Sequence, residues 1–421
     1  MLYIYKTTRT AFTKMGGDFA HLGAADLGQH AVASLLTGSG IDPSVIDEVI
    51  IGCVCQPADA ANVARVIALR AGIPQSVIAS TVHRNCASGM ESITTAAERL
   101  NAGKGELFVV GGAESMTNAP VLYRKSAIVK FGKLAKARSL VAKLKVASSF
   151  RPRDFSPIIG LRLGLTDPFT GINMGETAEI LSREYDITRS EQDIFASTSH
   201  AKALTNIDAL KGEISPVYTR GKAITEDAGI RSDSTPEKLA KLRPVFERTT
   251  GTVTAGNSSQ ITDGAAVLLV GAEQKGHELG LTPIGRLRGY AYAGCDPERM
   301  GLGPLFAMQK LFKETGLSLA EADIIEINEA FAAQALACVK ISSSEALAKQ
   351  AGLDAPLGEI PLSKLNPRGG AIALGHPVGA TGARLVLSAL DQLRVNNQNH
   401  ALTTLCIGGG QGAALWIERI S

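Results

Sequence analysis

The sequence predicts an α/β fold built from two duplicated halves, with a lobe inserted between their strands. Three observations carry this. Short apolar runs alternate with helical stretches, the pattern of parallel strands buried under helices. The order of these units recurs later in the chain, and residues 120–250 break the rhythm.

In chain order, Asp47-Glu48-Val49-Ile50-Ile51-Gly52 reads as a buried strand leading to a helix through Arg65 to Ala71. Asn85 to Ala102 reads as a helix, and Glu106-Leu107-Phe108-Val109-Val110 as the next strand, ending in Gly111-Gly112-Ala113. Asp323-Ile324-Ile325-Glu326-Ile327-Asn328 repeats the first strand. A glycine turn before a helix from Thr381 repeats the turn at Cys86, and Leu402-Thr403-Thr404-Leu405-Cys406, followed by Gly408-Gly409-Gly410, repeats the 106–112 strand. The halves therefore divide as 1–119 with 251–275, and 276–421, around an inserted lobe of 120–250.

Bulk composition narrows the function classes. The 421 residues suffice for two or three domains with large cores, and 45% hydrophobic content is ordinary for a globular chain. A formal net charge of +3 gives no general case for nucleic acid. No apolar run is long enough to span a bilayer, and no secretory signal precedes the first strand-like run. The six cysteines (53, 55, 86, 295, 338 and 406) are too dispersed for a disulfide framework, so reduced thiols in the cytoplasm are expected. Cys53 and Cys55 lack the spacing of a metal or redox pair and read as core residues of a buried strand; no metal site is expected.

Two cysteines and one histidine stand in glycine-rich settings: Asn85-Cys86-Ala87-Ser88-Gly89-Met90, Gly375-His376-Pro377 and Cys406-Ile407-Gly408-Gly409-Gly410. They suggest acyl transfer coupled to carbon-carbon bond chemistry. One thiol can hold an acyl group as a thioester, and a second can move a proton at the α-carbon. Cys86 precedes good helix material, and a helix N-terminus favours thiolate. His376 sits in a turn stiffened by proline, where its imidazole could take a thiol proton or hydrogen-bond a thioester oxygen. Cys406 ends an apolar strand, a common place for active-site groups in α/β folds.

These residues carry a resemblance to the thiolase family over nearly the full chain. Besides the three motifs above, it rests on Arg9-Thr10-Ala11-Phe12, Gly111-Gly112-Ala113-Glu114-Ser115-Met116, Met174-Gly175-Glu176-Thr177-Ala178-Glu179, Thr254-Ala255-Gly256-Asn257 and Asn328-Glu329-Ala330-Phe331. The resemblance implies two βαβαβ-type halves forming a layered α/β/α/β/α core with a loop domain. It implies a homodimer or tetramer acting on acyl-CoA and CoA, with coenzyme A as substrate and product and no permanently bound cofactor.

It also implies roles. Cys86 is the acyl-thioester nucleophile, His376 a base and oxyanion donor, and Cys406 the acid/base at the α-carbon. One oxyanion site is built from backbone N–H groups of Cys86 and Gly408, the other from His376 and a water held by Asn328. Glu329 is either a second base or a group orienting that water or His376. Arg231, Ser259 and Met174 fall on the coenzyme A side: Arg231 at the nucleotide, Ser259 at the pantetheine arm. The alternatives are a ketoacyl synthase-like condensing enzyme and a catalytically silent lipid-transfer or scaffold member of the superfamily. The first normally carries other partner residues where Asn328 and Cys406 stand; the second should have lost a catalytic residue.

Two departures stand out. Asn173 precedes Met174 where many acetoacetyl-specific members carry histidine. The stretch from Arg124 to Arg153 holds ten basic residues and no acidic one, and resembles the extended loop in thiolase subunits of membrane-associated fatty-acid oxidation complexes. Its apolar residues do not form one clean helical stripe. It either attaches the protein to an anionic membrane surface or a fatty-acid oxidation partner subunit, or forms a flap over the coenzyme A phosphates; charge density favours attachment.

Overall fold

The computed structural model describes residues 1–420. The strands that position the site are β1 (Leu2–Arg9), β2 (Glu48–Gly52), β3 (Ile78–Val82), β4 (Leu107–Ser115), β5 (Thr262–Gly271), β6 (Gly285–Gly294), β7 (Ile324–Ile327), β8 (His400–Ile407) and β9 (Gln411–Arg419). They form one sheet in the order β7-β8-β9-β6-β1-β5-β4-β2-β3, and Thr13–Lys14 adds a short tenth strand beside β5.

The duplication appears in the pairing. In the first half β1 runs antiparallel to β5, β5 antiparallel to β4, and β4 parallel to β2. In the second, β6 runs antiparallel to β9, β9 antiparallel to β8, and β8 parallel to β7. The two sets join where Leu2, Tyr3 and Ile4 pair with Leu287, Arg286 and Gly285. The chain thus leaves the first half after β4 and returns to it as β5.

The helices used below are α1 (Ala24–Ser39), α2 (Ser88–Asn101), α3 (Lys125–Lys136), α4 (Leu140–Ala147), α5 (Met174–Glu184), α6 (Arg189–Thr205), α7 (Gly303–Thr315), α8 (Ala332–Ser342) and α9 (Val378–Val395). Strand side chains alternate between two faces, and here both faces are apolar. Val49, Ile51, Leu107, Val109, Val267 and Leu269 pack outward onto α1. Ile50, Phe108, Val110 and Leu268 point the other way, into a central core shared with α2, α9 and strands of the second half. Ile325, Ile327, Leu402 and Trp416 close a third core with α7 and α8. The result is five layers, α/β/α/β/α, with α2 and α9 sandwiched in the middle. Each large apolar side chain buried this way contributes about 1.5–3 kcal/mol.

The 120–250 segment carries two small two-stranded sheets, Val121–Leu122 with Ile158–Ile159 and Val217–Thr219 with Lys222–Ile224. Its helices α5 and α6 pack on α8 of the second half. A buried ionic network ties it down. Arg9 at the end of β1 reaches Glu213 at 2.8 Å and Asp227 at 2.7 Å, and Glu213 also accepts from Arg368 at 3.2 Å. The two carboxylates keep the fully buried Arg9 guanidinium charged, which raises its pKa despite the burial that opposes it.

Two local expectations change. The helix placed from Thr381 starts at Val378, directly after Pro377, whose fixed φ suits a helix entry. Cys53 is buried, but it lies just past β2, and Cys55 is part-exposed in the turn that follows. Of these two, Cys53 alone is a core thiol. No helix among the described residues is long and apolar enough to cross a membrane.

Candidate active site

The two central helices bring their N-termini to one place. They pack closely because Gly89 in the first turn of α2 has no side chain: a Cβ there would sit 2.6 Å from the backbone nitrogen of Ala383 on α9. Cys86 stands in the turn before α2 and His376 in the turn before α9. Glu114, at the end of β4, ties the turn after β2 to the start of α9. Its buried carboxylate accepts from the N–H groups of Val54 at 3.0 Å, Cys55 at 2.9 Å and Gly379 at 2.8 Å. Gly379 belongs to the first turn of α9, where a carboxylate also meets the positive end of the helix dipole.

Cys86 is part-exposed, preceded by Asn85 in the left-handed region at φ +43°. Asparagine tolerates that conformation better than most residues, and its Nδ2 donates to the Gly408 carbonyl at 2.7 Å. The link holds the Gly408 segment against Cys86. Crowding by protein pushes the Cys86 thiol up to about 11, while the backbone N–H groups of Gly408 and of Cys86 itself pull the other way. The amide donors act in the direction expected from the helix position, and burial acts against them. Loss of hydration outweighs the helix N-terminus and two amide donors.

His376 follows Gly375, whose φ of +105° turns the chain into the site; a Cβ there would lie 2.4 Å from the Thr262 side chain. Its Nδ1 lies 2.7 Å from Thr381 Oγ1. The Thr381 hydroxyl donates its own hydrogen to the Pro377 carbonyl at 3.1 Å, so its oxygen accepts from Nδ1–H. The bare nitrogen is then Nε2, which faces Asn328 Nδ2 at 3.5 Å. Burial, with the nearby Arg384 charge, pulls the imidazole down to about 4. At neutral pH it is uncharged and able to accept a proton.

Cys406 ends β8, buried against Met174, Met300, Ala330 and Phe331. Burial first, then the neighbouring Cys86, push its thiol well above the ordinary cysteine range, so it holds its proton. Asn328 follows β7 and donates its backbone N–H to the Thr404 carbonyl at 3.0 Å, extending the β7–β8 ladder by one residue. Its Oδ1 is buried with no hydrogen-bond partner among the described residues. A lone buried acceptor suits a bound water.

Glu329 points elsewhere. Its carboxylate accepts from Ser199 Oγ at 2.6 Å, Asn366 Nδ2 at 2.8 Å and the Ile372 N–H at 3.2 Å. It braces the loop that leads to His376 and makes no bond to the imidazole. Met174 Sδ lies 3.2 Å from where a Cβ on Gly408 would be. Ser259 donates its backbone N–H to Ala330 at 2.9 Å, beside the Cys406 pocket. Arg231 is exposed, its N–H donating to His200 Nδ1 at 3.2 Å. Asn173 caps α5, its Oδ1 accepting from Gly175 N at 3.0 Å.

Thr381, Asn85 and Glu114 were missed as site residues in the sequence. The spacing of Thr381 from His376 across a proline that starts a helix is a signal that could have found it. Asn85 and Glu114 stand within the Cys86 and Gly111-Gly112 motifs, and nothing local marks their partners at Gly408 and Gly379.

Comparison with known proteins agrees with this arrangement. The family model described as thiolase, N-terminal domain, matches residues 2–274, and that described as thiolase, C-terminal domain, matches residues 281–419. The 3-ketoacyl-CoA thiolase of Pectobacterium atrosepticum is 39% identical over 416 residues, 97% of this chain and 94% of that protein. The 3-ketoacyl-CoA thiolase of Yersinia pestis is 39% identical over 423 residues, 99% and 96% of the two chains. Among solved structures, the Bacillus anthracis acetyl-CoA acetyltransferase superposes with a TM-score of 0.85 at 37% identity, covering 100% of this chain and 98% of that one. The human mitochondrial 3-ketoacyl-CoA thiolase in complex with CoA gives a TM-score of 0.85 at 34% identity, covering 100% and 98%. With both family models matched in order and relatives aligned nearly end to end, the chain belongs to the thiolase family.

Proposed function

We propose that the protein interconverts a 3-ketoacyl-CoA and CoA with acetyl-CoA and an acyl-CoA shortened by the acetyl unit. The observation that carries this reading is the convergence of two thiols and one imidazole: Cys86 stands before α2 and is linked through Asn85 to the Gly408 carbonyl beyond Cys406, and His376 stands before α9 facing Asn328. A simple acyl hydrolase needs one nucleophile; a second protonated thiol fits the demand for a proton at the α-carbon.

In the cleavage direction His376 Nε2 takes the Cys86 proton, and the thiolate attacks the 3-keto carbon. The resulting alkoxide is met by the N–H groups of Cys86 and Gly408. It re-forms the carbonyl as the bond between C2 and C3 breaks, leaving an acyl group on Cys86 and an acetyl-CoA enolate. The Cys406 thiol protonates C2. Having gained a proton, Nε2 is now a donor and can stabilise the enolate oxygen together with a water on Asn328 Oδ1, so this support arises as the charge does. CoA then gives its thiol proton to the Cys406 thiolate and attacks the acyl group, and Cys86 recovers its proton from His376. Condensation is the reverse sequence.

Coenzyme A fits the segment 120–250, with Arg231 at a phosphate and Ser259 and Met174 along the pantetheine arm. The structure of the human relative in complex with CoA supports this class of substrate. A homodimer or tetramer in the cytoplasm goes with the same reading. For the basic segment we favour attachment to an anionic membrane surface or an acidic partner subunit. Ile128, Val129, Leu140, Val141 and Leu144 are all exposed on α3 and α4, Val141 by 77%, among the lysines and arginines of 124–153. Lys130 alone is engaged deeply, pairing with Asp154 at 2.6 Å. Exposed apolar groups within a basic surface suit a lipid interface or a partner better than a flap over phosphates.

The test is CoA-dependent cleavage of 3-ketoacyl-CoA substrates from short to long chain. Consumption of the ketoacyl thioester with equal release of acetyl-CoA supports the reading, and absence of cleavage at every chain length contradicts it.

A further inference from the structure

Buried polar groups line one stripe of α9. Thr381, Arg384, Ser388 and Gln392 recur at helical spacing, and all are almost fully buried. Across from them, β7 turns Glu326 and Asn328 to the same face, two residues apart, while Ile325 and Ile327 point into the outer core. The stripe meets the strand in register. Thr381 holds His376, which faces Asn328. One step along, Arg384 Nη1 donates to Glu326 Oε2 at 3.1 Å, and Gln392 Nε2 donates to Glu326 Oε1 at 2.9 Å.

The ion pair is poorly made for stability. Both side chains are 1% exposed, they share a single N–H···O contact, and Arg384 Nε and Nη2 have no partner among the described residues. Burying two charges costs several kcal/mol per ion unless the geometry is good and the remaining donors are satisfied, and a well-packed apolar pair is often as stable or more so. Ser388, between Arg384 and Gln392 on the same stripe, donates to Glu213 at 3.0 Å and so leaves the Arg384 guanidinium without its help. A pair that adds little to stability, placed beside the two residues that must face one enolate oxygen, has a geometric use.

We propose that Arg384 and Glu326 are positioning residues for the thiolase reaction, clamping α9 to β7 so that His376 and Asn328 hold one oxyanion between them. The clamp acts through the elements it joins: α9 starts directly after His376-Pro377, and Glu326 lies two residues before Asn328. Burial first, and then the charge of the Arg384 guanidinium, disfavour the protonated His376 ring.

The inference rests on the thiolase reading above, and the test separates the two. Full-length wild type, Arg384→Met, Glu326→Gln and the double variant Glu326→Met/Arg384→Met are compared for kcat and KM in 3-ketoacyl-CoA cleavage, and for Tm. Arg384→Met should lower kcat by on the order of 10- to 100-fold with KM within about twofold, since misplacement of catalytic groups acts on the transition state. Glu326→Gln keeps an acceptor for Arg384 and should retain more kcat than Arg384→Met. The double variant should recover Tm without recovering kcat, a split that a merely structural role would not give. Return of wild-type kcat in the double variant, a change in KM with kcat unchanged, or Glu326→Gln falling below Arg384→Met would overturn the clamp. Inactive wild type would instead defeat the functional reading itself. Should Arg384→Met not fold, the double variant decides: kcat equal to wild type overturns the clamp, and a loss in kcat at constant KM supports it.

Discussion

The Thr381 hydroxyl accepts from His376 Nδ1 at 2.7 Å because its own hydrogen is committed to the Pro377 carbonyl, and this fixes Nε2 as the basic nitrogen. The relationship is local, within five residues, yet it decides which ring atom is free to take a proton. Orienting partners of this kind set both tautomer and ring direction.

Thr381→Val keeps the shape of the side chain and removes the acceptor. The Nδ1–H would lose its partner and the ring its preferred tautomer. We expect kcat to fall roughly 10- to 100-fold, by analogy with other histidine-orienting groups, with little change in the affinity for CoA. Steady-state kinetics beside a CoA titration checks this. Unchanged kcat would remove Thr381 from the account.

Asn328→Ala should lower turnover far more than binding. A water-borne contact strengthens as charge develops on oxygen, and loss of one such donor costs on the order of 10²–10³ in kcat in other enzymes. Weaker CoA binding with normal kcat would take Asn328 out of the oxyanion site.

The pH dependence of Cys86 follows from its raised pKa. Its folded-state proton is held up to about pH 11, so across the neutral range the thiolate is a small fraction that grows about tenfold per pH unit. Alkylation of Cys86 by iodoacetamide should therefore accelerate steadily from neutral to mildly alkaline pH. A rate that is flat over this range would mean a thiolate at rest. Because the neutral thiol is the favoured folded form, the shift opposes folding only once pH rises past the ordinary cysteine value and the unfolded chain begins to ionise.

How much of this was legible in the sequence depended on distance along the chain. The layers were readable, because alternation in runs such as Leu107 to Val110 and the repeat of strand-glycine units are local patterns. Cys86, His376, Cys406 and Asn328 stood out through short motifs. What escaped was set by packing. The crowding that raises the Cys86 thiol comes from the rest of the fold and is invisible in a helix position. Glu326 and Arg384 meet only because β7 and α9 are neighbours. Glu329 was left open between base and brace, and only its three donors on distant segments show that it braces the 366–372 loop.

The basic segment offers a prediction with two readouts. Deleting residues 124–153 should abolish salt-sensitive binding to vesicles of anionic lipid, or to an acidic partner subunit, and leave KM for short acyl-CoA nearly unchanged. A raised KM with unaltered vesicle binding would assign the segment to the coenzyme A phosphates instead. No change in either would leave it a solvated loop.

The division of labour between the two thiols can be read by intact mass. Cys406→Ala and Cys86→Ala are each incubated with acetyl-CoA in heavy water, followed by the mass of the protein and the deuterium content of the acetyl methyl group. We expect an acetyl group on Cys86 of Cys406→Ala with no deuterium uptake, and no acylation of Cys86→Ala. An acetyl group on a single other residue of Cys86→Ala, or deuterium uptake at the wild-type rate in Cys406→Ala, would contradict it.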